Sequence, residues 1–137
     1  MMLFENNTYR TSDRLLDIEF LFVDMGDAVG WRAYILTDIN YKMFSSLRSD
    51  SIGTVHRLTE TNKEMIRKIN NFIRMSRETN ETMNTIQYIC WNKAIHSLDD
   101  MKTIAKTWSE ITAYYIRNGG SFKTIQPVLK SRGVITL

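Results

Sequence analysis

Cys90 is the side chain that could most directly do chemistry, because it is the single cysteine and a thiolate is a strong nucleophile. A nucleophilic cysteine needs a base within hydrogen-bonding reach and usually a third group that orients the base. The sequence offers four residues for these roles: His56, His96, Asp99 and Asp100. However, Cys90 lies in the apolar run 85–91, where a free cysteine usually acts as a small buried hydrophobe. We therefore expect a structural role for Cys90, a surface position for His96, and no catalytic residues.

Metal chemistry is not favoured by the sequence either. Structural zinc takes four Cys or His ligands at paired spacings, whereas this chain has one cysteine and two histidines. A magnesium site made only of carboxylates could be drawn from Asp17, Glu19, Asp24 and Asp38. Two of these share a strand face, but no lysine lies near them in a nuclease-like arrangement. We expect neither a metal nor a cofactor, and a metal-dependent hydrolase or nuclease is the least favoured function.

A basic helix face is the feature most suited to contact with a partner. Residues 42–77 carry eight basic and three acidic side chains, so the net charge of +3 hides a basic middle segment. At about 100° per residue, one flank of a helix over 62–77 would carry Lys63, Arg67, Asn70, Arg74 and Arg77. The patch would grow if the preceding loop folded beside it and added Lys42, Arg48 and Arg57. Such a stripe can hold phosphates or an acidic protein surface, but charged helix faces are often simply solvated, and the sequence leaves both interpretations open.

Alternating apolar residues define the strands that must position these groups. In the segment RLLDIEFLFVD, the even-numbered residues from Leu16 to Phe22 are all apolar, which predicts a half-buried strand. A glycine-flanked turn then completes an antiparallel hairpin over 15–37. Residues 53–59 could add a third strand. The run 85–91 has large apolar residues on both faces, which predicts a strand inside the sheet.

Two helices follow from periodicity and capping residues. Apolar spacings of three and four predict a helix over about 62–77, opened by a T-x-x-E capping box at Thr61 and Glu64. A second helix begins after the N-cap Ser97 and ends near Gly119. Its apolar stripe has six members: Met101, Ile104, Ala105, Trp108, Ile111 and Tyr115.

These elements predict one α+β domain over residues 1–137, in which a small, mostly antiparallel sheet of three to four strands packs against two main helices. The ends, 1–13 and 123–137, are expected to be less ordered or peripheral. One cysteine excludes an intrachain disulfide, and neither a signal peptide nor a run of about 20 apolar residues is visible. We expect a cytoplasmic protein of a bacterial host with no membrane contact, and homodimerisation stays open.

The last third of the chain carries a resemblance to a known class. The patterns YICW, IHSLDD and IAKTWSEITAYYIRNGGSF, together with WRAYILTD, resemble small accessory proteins of phages and conjugative elements in Gram-positive bacteria. That class includes anti-CRISPR proteins, several of them directed against type II Cas9. The resemblance implies a cytosolic, non-enzymatic inhibitor that occludes a surface of its partner, here the Cas9–guide RNA complex. It transfers no functional residue to this chain.

The charge of the chain decides which form of inhibition we expect. Many inhibitors of this class are acidic mimics of nucleic acid, whereas this chain is mildly basic. We therefore expect contact through a basic and polar face rather than mimicry of DNA. The alternative is a nucleic-acid-binding or regulatory module that uses the basic helix face.

Overall fold

Five strands form one antiparallel sheet in the computed structural model, which describes residues 4–137. In chain order the elements are β1 (Phe4–Arg10), β2 (Asp17–Asp24), β3 (Trp31–Ile35), β4 (Arg57–Thr59), α1 (Lys63–Arg77), β5 (Gln87–Ile89), α2 (Leu98–Asn118) and α3 (Phe122–Ser131). The strands lie in the order β1-β2-β3-β5-β4, with α1 on one face and α2 and α3 on the other. The α+β class is confirmed. The sheet has five strands, however, rather than three to four, and a third helix joins the two predicted ones.

The hairpin of β2 and β3 is buried on both faces. Its register pairs Phe20 with Ile35 on the face that α2 covers. Leu21 and Val23 point to the opposite face and are fully buried in the core that α1 closes. The hairpin over 15–37 is confirmed, but the prediction of a half-buried strand is wrong, because helices exclude water from both sides of the sheet.

Helix α1 is capped by Asn62 rather than by the predicted Thr61. The Oδ1 atom of Asn62 accepts a hydrogen bond from the backbone N–H of Met65 at 3.0 Å. Glu64 forms an ion pair with Arg67. The predicted capping box is therefore wrong, although the bounds of the helix agree with the prediction.

Helix α2 agrees with its sequence pattern throughout. The Oγ atom of Ser97 accepts from the backbone N–H of Asp100 at 3.1 Å, as an N-cap should. The six residues of the predicted apolar stripe are all buried. At the other end Gly119 adopts a positive φ of 76° and donates its N–H to the carbonyl of Tyr115 at 2.8 Å.

The tail forms helix α3, which the sequence did not reveal. Ser121 and Thr124 make a reciprocal capping box at its start. Phe122, Ile125 and Leu129 enter the same core as α2, and Ile135 beyond the helix is buried as well. The expectation that 123–137 is peripheral is therefore corrected.

The N-terminal segment is an edge strand that α2 holds in place. β1 pairs with β2 along its whole length. At the end of β1 and just beyond it, the buried carboxylate of Glu110 accepts from Tyr9 Oη at 3.2 Å, from Ser12 N at 2.9 Å and from Ser12 Oγ at 2.5 Å. Burial, followed by the charge of Glu110 and the hydrogen bond to it, raises the pKa of Tyr9 to about 12. From Phe4 onwards, the segment 1–13 thus belongs to the sheet and its anchor.

Candidate functional site

Four of the predicted basic residues lie on the outer flank of α1, and we call them the basic flank: Lys63, Arg67, Arg74 and Arg77. Arg67 is paired with Glu64 in the same helix, and Arg77 with Glu19 of β2. Arg74 donates to Asn71 Oδ1 at 2.5 Å. Within residues 4–137, Lys63 and Arg74 have no carboxylate partner, so they are the members of the flank with unneutralised charge.

Asn70 does not lie on the exposed flank, contrary to the helix-wheel prediction. Its side chain is buried, because the segment after α1 folds back over it. Asn70 Oδ1 accepts from the backbone N–H of Met83 at 2.8 Å, and Asn70 Nδ2 donates to the carbonyl of Met83 at 3.3 Å. This loop therefore divides the basic flank into two shorter parts.

The three basic residues expected to enlarge the patch serve the loop 37–56 instead. Arg48 Nε donates to the carbonyl of Tyr115 at 3.0 Å, and Arg48 Nη2 donates to that of Arg117 at 3.2 Å. Arg48 thus caps the C-terminal end of α2, on the opposite side of the sheet from α1. Arg57 Nη2 donates to the carbonyl of Asp50 at 2.7 Å, and Lys42 Nζ donates to that of Ser46 at 3.2 Å.

Cys90 follows directly after β5 and is half-buried rather than fully buried as expected. Its backbone N–H donates to the carbonyl of His56 at 2.8 Å, so it extends the pairing of β4 with β5 by one step. The imidazole of His56 stacks on the ring of Phe122, with 4.7 Å between ring centroids. His96 is exposed, as predicted. The structure therefore places the Cys90 and His56 side chains along one cavity, with the His56 imidazole engaged in stacking on Phe122.

Two of the four candidate magnesium ligands are engaged with cations. Asp17 pairs with Arg10 at 2.7 Å, and Glu19 pairs with Arg77. Across residues 4–137, no three His, Cys, Asp or Glu side chains are grouped in a way that could hold a metal ion.

A groove opens where β3 and β5 separate. The two strands pair only at Tyr34–Tyr88 and Ile35–Gln87, and the chain after β5 then bends away. It returns at Ile95, whose carbonyl accepts from the backbone N–H of Trp31 at 2.7 Å. This return passes so close to Gly30 that a Cβ there would lie 2.4 Å from the carbonyl oxygen.

Trp91 lies at the junction of three concavities with volumes of about 560, 350 and 310 Å³. We call the combined feature the Trp91 groove, and the lining residues that matter to its chemistry are Trp31, Arg32, Tyr88, Trp91, Lys93, Lys123, Gln126 and Lys130. Helix α3 forms one wall, because Gln126 lines two of the concavities. The half-buried indoles of Trp31 and Trp91 line the second of them. The groove therefore combines aromatic faces with cationic side chains.

The groove is locally positive. Lys93, Lys123 and Lys130 are exposed and, within the described chain, have no carboxylate partner. Among the lining residues of residues 4–137, Asp100 carries the one acidic side chain. Such a surface can stack a planar group on an indole and neutralise nearby anionic groups.

Arg32, at the edge of the groove, is fixed by a buried carboxylate. Arg32 Nη1 donates to Glu60 Oε1 at 2.9 Å, and Tyr34 Oη donates to the same oxygen at 2.5 Å. The other oxygen, Oε2, accepts from the backbone N–H groups of Thr61 and Asn62 at 3.1 Å. Burial acts to raise the pKa of Glu60, but these hydrogen bonds and the charge of Arg32 outweigh it and hold the pKa below its ordinary value.

The sequence contains part of the signal for this groove. The dipeptide Trp31-Arg32 and the triplet 91–93 each set a tryptophan within two residues of a basic side chain, and single-strand binders combine aromatic and basic side chains in this way. Neither segment reveals that the strands separate, nor that α3 brings Lys123 and Lys130 to the same place. Those facts depend on tertiary contacts.

Comparison with protein-family models, with curated proteins and with solved structures finds no match for this chain. None of the helices in the described part of the chain combines the length and apolar composition needed to cross a membrane.

Proposed function

We propose that the chain is a non-enzymatic binding protein of a mobile element, and that it inhibits Cas9 by covering a surface of the Cas9–guide RNA complex. The observation that carries the proposal is the Trp91 groove, where Lys93, Lys123 and Lys130 surround a half-buried tryptophan without carboxylate partners in the described chain. Tryptophan is enriched among the residues that dominate binding energy at protein interfaces, and lysine is a common donor to phosphate oxygens.

The engagement of the acidic side chains supports a binding role over catalysis. Asp17 and Glu19 are held by arginines, and Glu60 and Glu110 are consumed in hydrogen bonds that join helices to the sheet. A general base must be free to take a proton from a substrate. These carboxylates hold parts of the fold together and are not free to take a proton. We therefore expect the chain to recognise a partner by the charge and shape of its surface.

A DNA-cleavage assay tests the proposal. Purified chain at molar excess over a type II-A Cas9–guide RNA complex should suppress cleavage of a matched target. The double reversal Lys93→Glu with Lys130→Glu should restore cleavage, because both lysines lie at the groove. The matched control, Arg14→Glu with Lys106→Glu, reverses two exposed charges outside the groove and should inhibit like the parent chain. Undiminished cleavage at molar excess of the parent chain would overturn the Cas9 form of the proposal.

A second candidate function is nucleic-acid binding through the basic flank. It is favoured by Lys63 and Arg74, which have no carboxylate partner in the described chain. Contacts to phosphates release counterions, so the affinity for duplex DNA would fall steeply with salt, by about 0.9 in the logarithmic slope per phosphate. A gel shift at low salt should show a complex that Lys63→Glu with Arg74→Glu removes. Absence of a complex, or a complex that survives this reversal, would eliminate the candidate.

A further inference from the structure

We propose that the Trp91 groove binds single-stranded nucleic acid, with an unpaired base stacked on Trp91 and with backbone phosphates held by Lys93, Lys123 and Lys130. This inference rests on the proposed function, because the same groove serves both. It adds the chemical class of the ligand.

The aromatic part of the groove can accept a base. Of the three tryptophans, Trp108 is buried and spends its indole N–H on the carbonyl of Val55 at 2.9 Å. Trp31 and Trp91 stay half-exposed and line the same concavity as Tyr88. Bases of every kind stack on aromatic side chains, so such a surface binds unpaired nucleotides with little dependence on sequence.

The cationic part of the groove is arranged on two walls. Lys93 lies in the segment that bends away after β5, whereas Lys123 and Lys130 belong to α3. Lys123 and Lys130 are seven residues apart, which places them on one face of the helix about 10 Å apart along its axis. Gln126 lies between them on the same wall; its Nε2 donates to the backbone carbonyl of Leu137 at 3.0 Å, which leaves the amide oxygen as an acceptor. A strand that runs along α3 would meet cations at intervals, with Trp91 beside them.

The placement of the Trp91 indole among the lysines favours single-stranded nucleic acid over a duplex as the ligand. A paired helix keeps its bases stacked on each other and presents only its phosphates and groove edges to a protein. The Trp91 groove offers an indole between the cations, and that indole is useful only to a base that is free to leave its own stack. A duplex would use the lysines alone.

Fluorescence binding experiments with the full chain test the inference. The probes are fluorescein-labelled oligo(U), oligo(dT) and a mixed-sequence single strand of about 12 nucleotides, a length inside the range that single-strand binding surfaces cover. The same mixed-sequence strand annealed to its complement serves as the duplex probe. Single strands should bind and quench the tryptophan emission, and the duplex should bind at least several-fold more weakly. Equal affinity for the single strand and the duplex would overturn the proposal that a base stacks on Trp91. Comparison of oligo(U) with oligo(dT) shows whether RNA or DNA is the preferred ligand.

Substitutions at Trp91 separate stacking from charge. Trp91→Ala should weaken single-strand binding by about 5- to 150-fold, whereas Trp91→Phe, which keeps a smaller aromatic face, should retain most of it. Lys93→Glu with Lys130→Glu should lower the salt slope by about 1.4, or 0.7 per phosphate contact on a single strand. If Trp91→Ala loosens the fold, the two lysine substitutions at exposed positions still decide the matter. Affinity unchanged by the lysine reversal, or unchanged by Trp91→Ala in a folded protein, would overturn the inference.

The two proposals fail in different ways. A chain that blocks Cas9 through the groove but binds no free single strand would contradict the single-strand inference and leave the proposed function intact. A chain that binds single strands through Trp91 but leaves Cas9 cleavage undiminished would contradict the Cas9 proposal alone.

Discussion

The guanidinium of Arg32 lies over the ring of Tyr88, 4.3 Å from its centroid, and so joins β3 to β5 at the point where the two strands separate. Arg32 is held in this position by Glu60, which also accepts hydrogen bonds from the first N–H groups leading into α1. One buried carboxylate therefore links the edge of the Trp91 groove, the centre of the sheet and the start of a helix. We therefore expect the shape of the groove to depend on this connection.

Replacement of Glu60 by alanine should be strongly destabilising. Only about 5% of its side chain is exposed, and its loss leaves the Arg32 guanidinium and the hydroxyl of Tyr34 without their acceptor. Because Arg32 keeps partial access to water, we expect a loss near the lower end for broken buried pairs, about 3 kcal/mol in the free energy of unfolding. Urea denaturation measures the loss. A value below about 1 kcal/mol would show that the link is not structural.

The Glu60 carboxylate should make the free energy of unfolding depend on pH in the acidic range. The folded-state pKa of Glu60 lies below its ordinary value of 4.5, so the unfolded chain binds the proton more tightly. The contribution of Glu60 is therefore complete above pH of about 4.5 and is lost as the pH falls through the folded-state pKa. As the pH falls from about 4.5 through the folded-state pKa, the parent chain should lose more stability than Glu60→Gln, measured by urea denaturation at each pH. Parallel losses in the two proteins would contradict this account.

Sequence patterns predicted the parts of the fold that depend on local periodicity. The stripe of α2 and the N-cap Ser97 are of this kind, since spacing and a capping residue are sufficient to define them. β1 was missed because FENNTYR is an edge strand with little apolar alternation, and it is held by pairing with β2. α3 was missed because its helix is short and its apolar side becomes evident only against α2.

The candidate site was harder to predict from the sequence than the fold, because tertiary contacts determine where its residues lie. Asn70 falls on the basic flank by helical angle, yet a distant loop buries it through Met83. Arg48 belongs to the basic segment 42–77 of the sequence, yet it caps the C-terminal end of α2, on the side of the sheet opposite α1. The groove joins residues from β3, from the segment after β5 and from α3, and no local pattern predicts that meeting.

Gly30→Ala should open the groove and weaken the fold. A Cβ at Gly30 would lie 2.4 Å from the carbonyl oxygen of Ile95, and φ at Gly30 is +80°. Gly26→Ala is a matched control, because φ there is +95° but nothing lies within 4 Å of the added atom. The control should lose about 1–2 kcal/mol from backbone strain alone, and Gly30→Ala should lose clearly more. Thermal or urea unfolding compares them, and equal losses would show that the Gly30–Ile95 contact is not tight.

Arg48→Ala should destabilise the loop 37–56 without weakening the inhibition of Cas9. Removal of a charged donor from the end of α2 should cost about 2 kcal/mol and increase amide hydrogen exchange in the loop. Arg48→Lys should recover part of that loss, since an ammonium can still reach one carbonyl. Inhibition of Cas9 should be unchanged in both variants. A loss of inhibition in a variant with an intact fold would show that Arg48 contacts the partner, as the sequence analysis predicted.

Affinity for the assembled Cas9–guide RNA complex tests the central claim most directly. Surface plasmon resonance with the complex immobilised should show saturable binding by the parent chain, weakening as salt rises because the contacts are to phosphates. The groove variant, Lys93→Glu with Lys130→Glu, should bind at least tenfold more weakly, a change of about 1.4 kcal/mol, while the control Arg14→Glu with Lys106→Glu binds like the parent. Equal binding by the groove variant and the control, or no binding by the parent chain at low salt, would contradict the account.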